Sequence, residues 1–275
     1  MKILKRRALA DSSATRITSI EVLSPDIARK ARPGQFIALM VSDKGERIPL
    51  TIVDTNKDTG SITLIFQELG FTTQLLGQMK EGDSLYSLVG PLGHATDIRN
   101  YGQVILVGGG VGIAEIYPVA RALKASGNHI TTILGARTKS LLILEDELKA
   151  ISDNLLVATD DGSYGRKAFT TDILDDELQK QKYGLVYSVG PIPMMKRSAA
   201  VTAKYGVKTI VSLNAIMVDA TGMCGCCRVT IGGKTLFSCV DGPEFDAQQV
   251  DWDELVKRNR IYEDKEKHIC NLKAL

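Results

Sequence analysis

Apolar and polar residues alternate through "RITSIEVLSP" and stop at Pro25. Such period-two alternation is the mark of a half-buried strand. "GQFIALMVSDKGERIPLTIVD" holds two short apolar runs split by the turn "DKGE". "GSITLIFQEL" follows a second turn, "NKDTG", and "GDSLYSLVGPLG" closes the set. One helix is expected near "FTTQLLGQM". Short strands punctuated by Gly, Pro and Asp predict a small β-barrel over residues 1–98.

The pattern then changes. "QVILVGGGVGIAEIYPVARALKASG" reads as a buried strand, a glycine turn and a helix ending near Gly127. "HITTILGAR" and "NLLVATDDG" read as strands around the helical "LILEDELKAI". "GLVYSVGPIPMMKRSAAVTAKYG" repeats strand, turn and helix, and "KTIVSLN" adds a strand. Strands alternating with helices predict a parallel sheet with crossovers over residues 99–213. Residues 214–275 are cysteine-rich, then highly charged. They are too short for an independent apolar core, which suits a small unit held by a metal centre.

Composition narrows the function. A chain of 275 residues suits two or three domains. The 34 basic and 32 acidic residues nearly cancel, and aromatics are 5%. A nucleic-acid surface is therefore not expected. No apolar run reaches membrane-helix length, and "MKILKRRALADSS" lacks a signal-peptide core. A cytoplasmic protein without membrane association is expected. Four of the five cysteines fall between positions 224 and 239. In a reducing compartment that clustering points to metal binding or catalysis rather than to disulfides.

Three segments carry candidate chemistry. Gly108, Gly109, Gly110 and Gly112 lie between a strand and a helix, where amides can approach a pyrophosphate. The spacing departs from G-x-G-x-x-G, because the third glycine slot, counted from Gly110, holds Glu115. A tight structural turn would use the same glycines. In "RIPLTI", Arg47 can fork onto a phosphate and Thr51 can donate or accept at a polar ring edge. A solvated strand arginine is the plainer alternative. "ELGFTTQLL" offers Gly70, Thr72 and Thr73 as a second phosphate seat or as an ordinary helix cap.

Together, R-x-P-L-T, G-P-L-G, G-G-G-x-G and a later G-P-x-P-M resemble the ferredoxin–NADP reductase superfamily. The order of the three parts is similar to that of the electron-transfer subunits of bacterial dihydroorotate dehydrogenase and of sulfide dehydrogenase. The resemblance implies a ferredoxin reductase-like fold: a β-barrel holding FAD, an α/β nucleotide-binding domain and a small C-terminal iron–sulfur domain. It implies that Arg47 meets the FAD pyrophosphate and that Pro49, Leu50 and Thr51 line the isoalloxazine, with Thr51 in the catalytic position. Gly70, Thr72 and Thr73 would take the adenine-side phosphates. Gly90, Pro91, Leu92 and Gly93 would close the barrel near the flavin. Gly109, Gly110 and Gly112 would serve NAD(H), with Ala136 and Arg137 near its ribose. Asp161, Gly162 and Gly190 would border the same cleft. Arg137 and Lys139 leave the choice of NAD over NADP open.

A [2Fe–2S] cluster normally takes four thiolates. The dihydroorotate dehydrogenase subunits carry C-x4-C-x2-C-x(n)-C, and this chain has D-x4-C-x2-C-x11-C. The favoured ligands are Asp219, Cys224, Cys227 and Cys239. The alternatives put Cys226 or Cys270 in place of Asp219. Neighbouring side chains such as Cys226 and Cys227 tend to diverge, whereas a C-x2-C loop wraps both thiolates onto one cluster. Zinc would favour two C-x2-C pairs or histidines, and none of the three histidines is near. The Asp-plus-three-Cys pattern is similar to the small-subunit family of electron-bifurcating NADH-dependent reduced ferredoxin:NADP oxidoreductases. That resemblance implies a larger flavoprotein partner with its own FAD, [4Fe–4S] clusters and an NADP(H) site, and ferredoxin as an indirect partner. The rivals are a dihydroorotate dehydrogenase electron-transfer subunit and a non-catalytic flavin- or NAD-sensing module.

Overall fold

The computed structural model describes residues 1–12, 15–263 and Lys265. Its first unit is an antiparallel sheet of β1 (Ile3–Asp11), β2 (Arg16–Leu23), β3 (Phe36–Met40), β4 (Ile48–Asn56), β5 (Ser61–Gln67) and β6 (Ser87–Leu92). The strand order is β1-β2-β5-β4-β3-β6. Two short helices, α1 (Pro25–Lys30) and α2 (Phe71–Gln78), cross between strands. Alternate residues Ile20, Val22, Ile62, Leu64 and Phe66 point into its core. The expected strand alternation is thus the inward face of the sheet. The sequence reading did not anticipate β1 and α1.

The second unit runs β7 (Gln103–Gly109), α3 (Gly112–Ala125), β8 (His129–Ala136), a 3₁₀ turn (Lys139–Leu141), α4 (Glu145–Ile151), β9 (Asn154–Thr159), β10 (Arg166–Lys167), α5 (Thr170–Lys180), β11 (Leu185–Val189), α6 (Ile192–Ala203) and β12 (Thr209–Ser212). The strands of this unit are parallel and follow the order β10-β9-β8-β7-β11-β12. The order reverses between β7 and β11, which opens a crevice at the strand C-termini.

The cysteine segment carries β13 (Arg228–Ile231), β14 (Lys234–Phe237), β15 (Glu244–Asp246) and α7 (Trp252–Asn259). β13 and β14 form a hairpin. β15 pairs antiparallel with β12 and extends the nucleotide sheet to seven strands. Cys227 and Cys239 are buried in one apolar cluster with Phe36 of the barrel and Met195 and Val211 of the α/β unit. The C-terminal segment therefore shares its core with both other units. Among the described residues, no helix is long and apolar enough to cross a membrane.

Candidate functional site

The barrel register gathers the flavin-motif residues. Pro49, Leu50 and Thr51 of β4 pair with Ala38, Ile37 and Phe36 of β3. On the other edge of β3, Ala38 and Phe36 pair with Val89 and Leu92 of β6. The two motifs flank the same three residues of β3. Pro49, Leu50, Thr51, Pro91 and Leu92 are all half-buried, a partly apolar surface suited to a flat ring. A Cβ on Gly93 would lie 2.8 Å from the Phe36 ring and 2.9 Å from Pro243, so this glycine lets the barrel meet the cysteine segment.

The phosphate seats have a different character. Gly70 caps α2, and an added Cβ there would meet nothing within 4 Å, so space is open in front of the helix. Thr73 Oγ1 accepts from the Leu69 and Gly70 amides and donates to the Gly70 carbonyl. The Thr72 hydroxyl donates to Glu46. The two threonines thus serve the cap and the neighbouring loop. Arg47, half-exposed, pairs with Asp219 at 2.9 Å. The arginine expected at the flavin phosphates and the carboxylate expected at the cluster are therefore in direct contact.

The second region is a cleft of about 510 Å³ over the strand ends of the parallel sheet. Its walls include Gly109, Gly110, Ala136 and Arg137. Gly110 has φ +58° and open space where a Cβ would project, which leaves its backbone free for close approach by a phosphate. Gly112 does something else: a Cβ there would lie 2.5 Å from the Val189 carbonyl, so it lets α3 close onto β11. Gly190 packs likewise against Gly109 and Met194. Asp161 folds back on its own turn, accepting from the Ser163 amide and hydroxyl. Gly162, φ +77°, belongs to that turn. The acidic residue on the cleft wall is its neighbour, Asp160. Phe169, Met194 and Arg197 also line the cleft. The G-P-x-P-M signature contained Met194, and the other two carried no motif.

In the cysteine loop, Cys227 Sγ lies 3.2 Å from Cys239 Sγ, both as buried free thiols. Burial and the neighbouring Cys227 thiol push Cys239 up to about 12. A coordinated cation would draw such protons off. Cys224, at the surface, accepts from the Cys226 amide, which lowers its pKa. The Cys226 amide thus points toward Cys224, and Cys226 shares a small polar hollow with Arg228 and Arg258. Asp219 Oδ1 takes the Arg47 bond, while Oδ2 accepts from the Thr221 amide and hydroxyl. The two Thr221 bonds fill Oδ2, but Oδ1 keeps a second lone pair and so has capacity for a metal. Among the described residues, no three of these side chains converge on a single-ion site. A loop with soft thiolate donors and amides directed at sulfur still fits an iron–sulfur group. Cys270 lies outside the described residues.

One participant was visible in the sequence only as an irregularity. Glu115, in the third glycine slot, sits in the first turn of α3 and hydrogen-bonds Thr51 and Ser212. Desolvation raises its pKa to about 7.

Comparison with known proteins agrees with this layout. Residues 214–251 match the family described as the iron–sulfur cluster binding domain of dihydroorotate dehydrogenase B. Residues 106–200 match the oxidoreductase NAD-binding domain. A dihydroorotate dehydrogenase B (NAD(+)) electron transfer subunit homolog of Thermotoga maritima is 53% identical over 89% of this chain and 86% of its own length. The electron transfer subunit of Geobacillus thermodenitrificans is 31% identical over 91% of this chain and 97% of its own. A chain from the structure of NADH-dependent reduced ferredoxin-NADP oxidoreductase, described for flavin-based electron bifurcation, superposes with a TM-score of 0.92. That chain is 48% identical and covers 100% of this chain and 98% of its own. A ferredoxin reductase of carbazole 1,9a-dioxygenase shares the barrel and nucleotide fold at 19% identity, with a TM-score of 0.61 over 75% of this chain and 65% of its own. The three-part architecture, the strand-end cleft and the cysteine loop thus have one common source: the chain belongs to the family of dihydroorotate dehydrogenase B electron-transfer subunits and their homologues.

Proposed function

We propose that this chain is the NAD(H)-side electron-transfer subunit of a bifurcating NADH-dependent reduced ferredoxin:NADP oxidoreductase. It would move electrons between NAD(H), FAD and a [2Fe–2S] cluster, and on to a larger flavoprotein subunit carrying FAD, [4Fe–4S] clusters and an NADP(H) site. The observation that carries this reading is the Arg47–Asp219 pair. It couples the flavin-side loop directly to the proposed cluster ligand. The full-length similarity to the ferredoxin-NADP oxidoreductase chain supports it, as does the carboxylate where four cysteines would suit the dihydroorotate dehydrogenase rival.

The bound flavin supplies the exchange between two-electron hydride and single-electron carriers. The chain's own residues do the rest. The cleft at Gly109 and Gly110 holds the nucleotide phosphates, and Arg137, braced by Thr15 at 3.0 Å, stands at the ribose end. Pro49 and Leu50 cover the flavin plane, and Thr51 holds its polar edge. Arg47 offers charge to the flavin pyrophosphate and orients Asp219. Cys224, Cys227 and Cys239 complete the ligand set, with Cys226 outside it.

Anaerobic purification from native cells, with flavin and iron counts, tests the assignment. The expected product is a yellow-brown complex that passes electrons from NADH to a dye. In the same preparation, Cys226→Ala should keep the reduced-cluster EPR signal, and Cys227→Ala should lose it. A colourless protein, or zinc in place of iron, would overturn the reading. Bound flavin without NADH turnover would favour the sensing module.

A further inference from the structure

One guanidinium joins the barrel motif to the cysteine segment. Arg47 ends the turn between β3 and β4, directly ahead of the β4 residues Pro49, Leu50 and Thr51. Asp219 lies 172 positions later, in the stretch 213–227, which holds no helix or strand. Arg47 Nη1 donates to Asp219 Oδ1 at 2.9 Å. Among the described residues, Asp219 pairs with no other cation and Arg47 with no other carboxylate.

The atoms engaged decide what each partner can still do. Arg47 Nη1 is spent on the carboxylate, while Nε and Nη2 have no protein partner among the described residues. The Nε and Nη2 edge of a guanidinium is one that grips a phosphate through two parallel bonds. On the carboxylate, Oδ2 is filled by Thr221, and the oxygen with a lone pair to spare is Oδ1. Arg47 therefore fixes the one oxygen that iron would take. Ala220, next to Asp219, has φ +65°, a left-handed conformation that alanine adopts only at a cost, so this loop needs an outside anchor. The turn that carries Arg47 is itself tied to the second phosphate seat, because Glu46 accepts from Thr72, in the first turn of α2, at 3.0 Å.

We propose that Arg47 makes flavin binding and cluster binding mutually reinforcing, so that loss of either cofactor loosens the other. The inference deepens the proposed function and rests on two of its readings, Arg47 at the flavin pyrophosphate and Asp219 at iron. The sign follows from ordering. A free arginine side chain has several rotatable bonds, and the first partner to fix it bears that entropy cost. The second partner meets a guanidinium already in place. The pyrophosphate and the carboxylate engage different donors of the fork, so neither displaces the other. A half-exposed ion pair adds little to stability by itself. Its effect here is to transmit. Linkage makes the coupling reciprocal, the same factor in both directions.

The test is an FAD titration of the full chain, freed of flavin, with its cluster either intact or removed by an iron chelator. The fluorescence of free FAD reads the affinity. In the wild type, the cluster should tighten FAD about tenfold, and FAD should slow iron release to the chelator. Arg47→Lys keeps the charge but lacks the fork. It should bind FAD equally well with and without the cluster. Arg47→Gln should bind FAD more weakly in both forms, again without a difference between them. Equal wild-type affinities, or a tenfold effect that survives in Arg47→Lys, would overturn the inference and leave the electron-transfer reading intact. The flavin reading of Arg47 fails separately, and takes the inference with it, if Arg47→Gln binds FAD as tightly as the wild type. A chain that takes up neither FAD nor iron would sink the proposed function and the inference together.

Discussion

Asp219 and Glu115 are both carboxylates in sequence motifs where another residue type is expected, and their surroundings push them in opposite directions. Asp219 is held ionised, with its pKa lowered chiefly by the Thr221 hydroxyl and further by Arg47. That suits a ligand, which must bind without its proton. Glu115 lies in a desolvated pocket, with hydroxyls for partners and a second acid nearby, and its pKa rises to about 7. The sign of its contribution to stability follows. The folded state binds the proton more tightly than the unfolded chain, so stabilisation is full below the unfolded value of 4.5 and is lost as pH rises to about 7. Between about pH 5 and pH 8, the wild type should lose about 2 kcal/mol more unfolding free energy than Glu115→Gln. Urea titrations at the two pH values would measure this, and parallel losses in the two proteins would contradict it. Asp219 was legible because its spacing to the cysteines survives in one dimension. Glu115 was legible only as a break in a glycine pattern. Its partners Thr51, Ser212 and Glu244 are scattered along the chain, and folding alone brings them together.

At the scale of elements, the strand alternation and the glycine turn were readable because each depends on local spacing. Ile62, Leu64 and Phe66 alternate in the sequence and line one face in the fold. β15 was not readable. "EFD" is three residues after a Gly-Pro, with no period to detect, and only the free edge of β12 makes it a strand. α5 carries its buried face at Ile173, Leu174 and Leu178, but its many acids hid it inside a charged stretch. The glycine turn also divides its labour in a way that spacing alone does not reveal: Gly110 faces open space, and Gly112 faces the Val189 carbonyl. Gly112→Ala should therefore destabilise the fold by about 1–3 kcal/mol. The gain of roughly 1 kcal/mol from better helix propensity is smaller than the cost of a Cβ placed 2.5 Å from a carbonyl oxygen. Chemical denaturation would show it, and an unchanged midpoint would mean that α3 can shift freely away from β11.

For the whole molecule, three sequence parts do not become three independent bodies. Phe36, Met195, Val211, Cys227 and Cys239 belong to one apolar cluster, so barrel, parallel sheet and cysteine loop are packed on common ground. The sequence suggested a short metal-held appendage because cysteine spacing, length and charge could be read there and packing partners could not. A chain stopped after residue 213 should expose the edge of β12 together with Val211 and Met195, and should aggregate on expression. Light scattering of the truncated and full-length chains would decide this, and a monomeric, folded truncation would refute it. β15 has one more consequence, which concerns the order of assembly. The strand that completes the sheet edge lies beyond Cys239, so a growing polypeptide leaves the ribosome with β12 bare until the whole cysteine loop has been made. Closure of the sheet therefore belongs to the last stage of synthesis, and until then the bare edge of β12 is open to pairing with another chain.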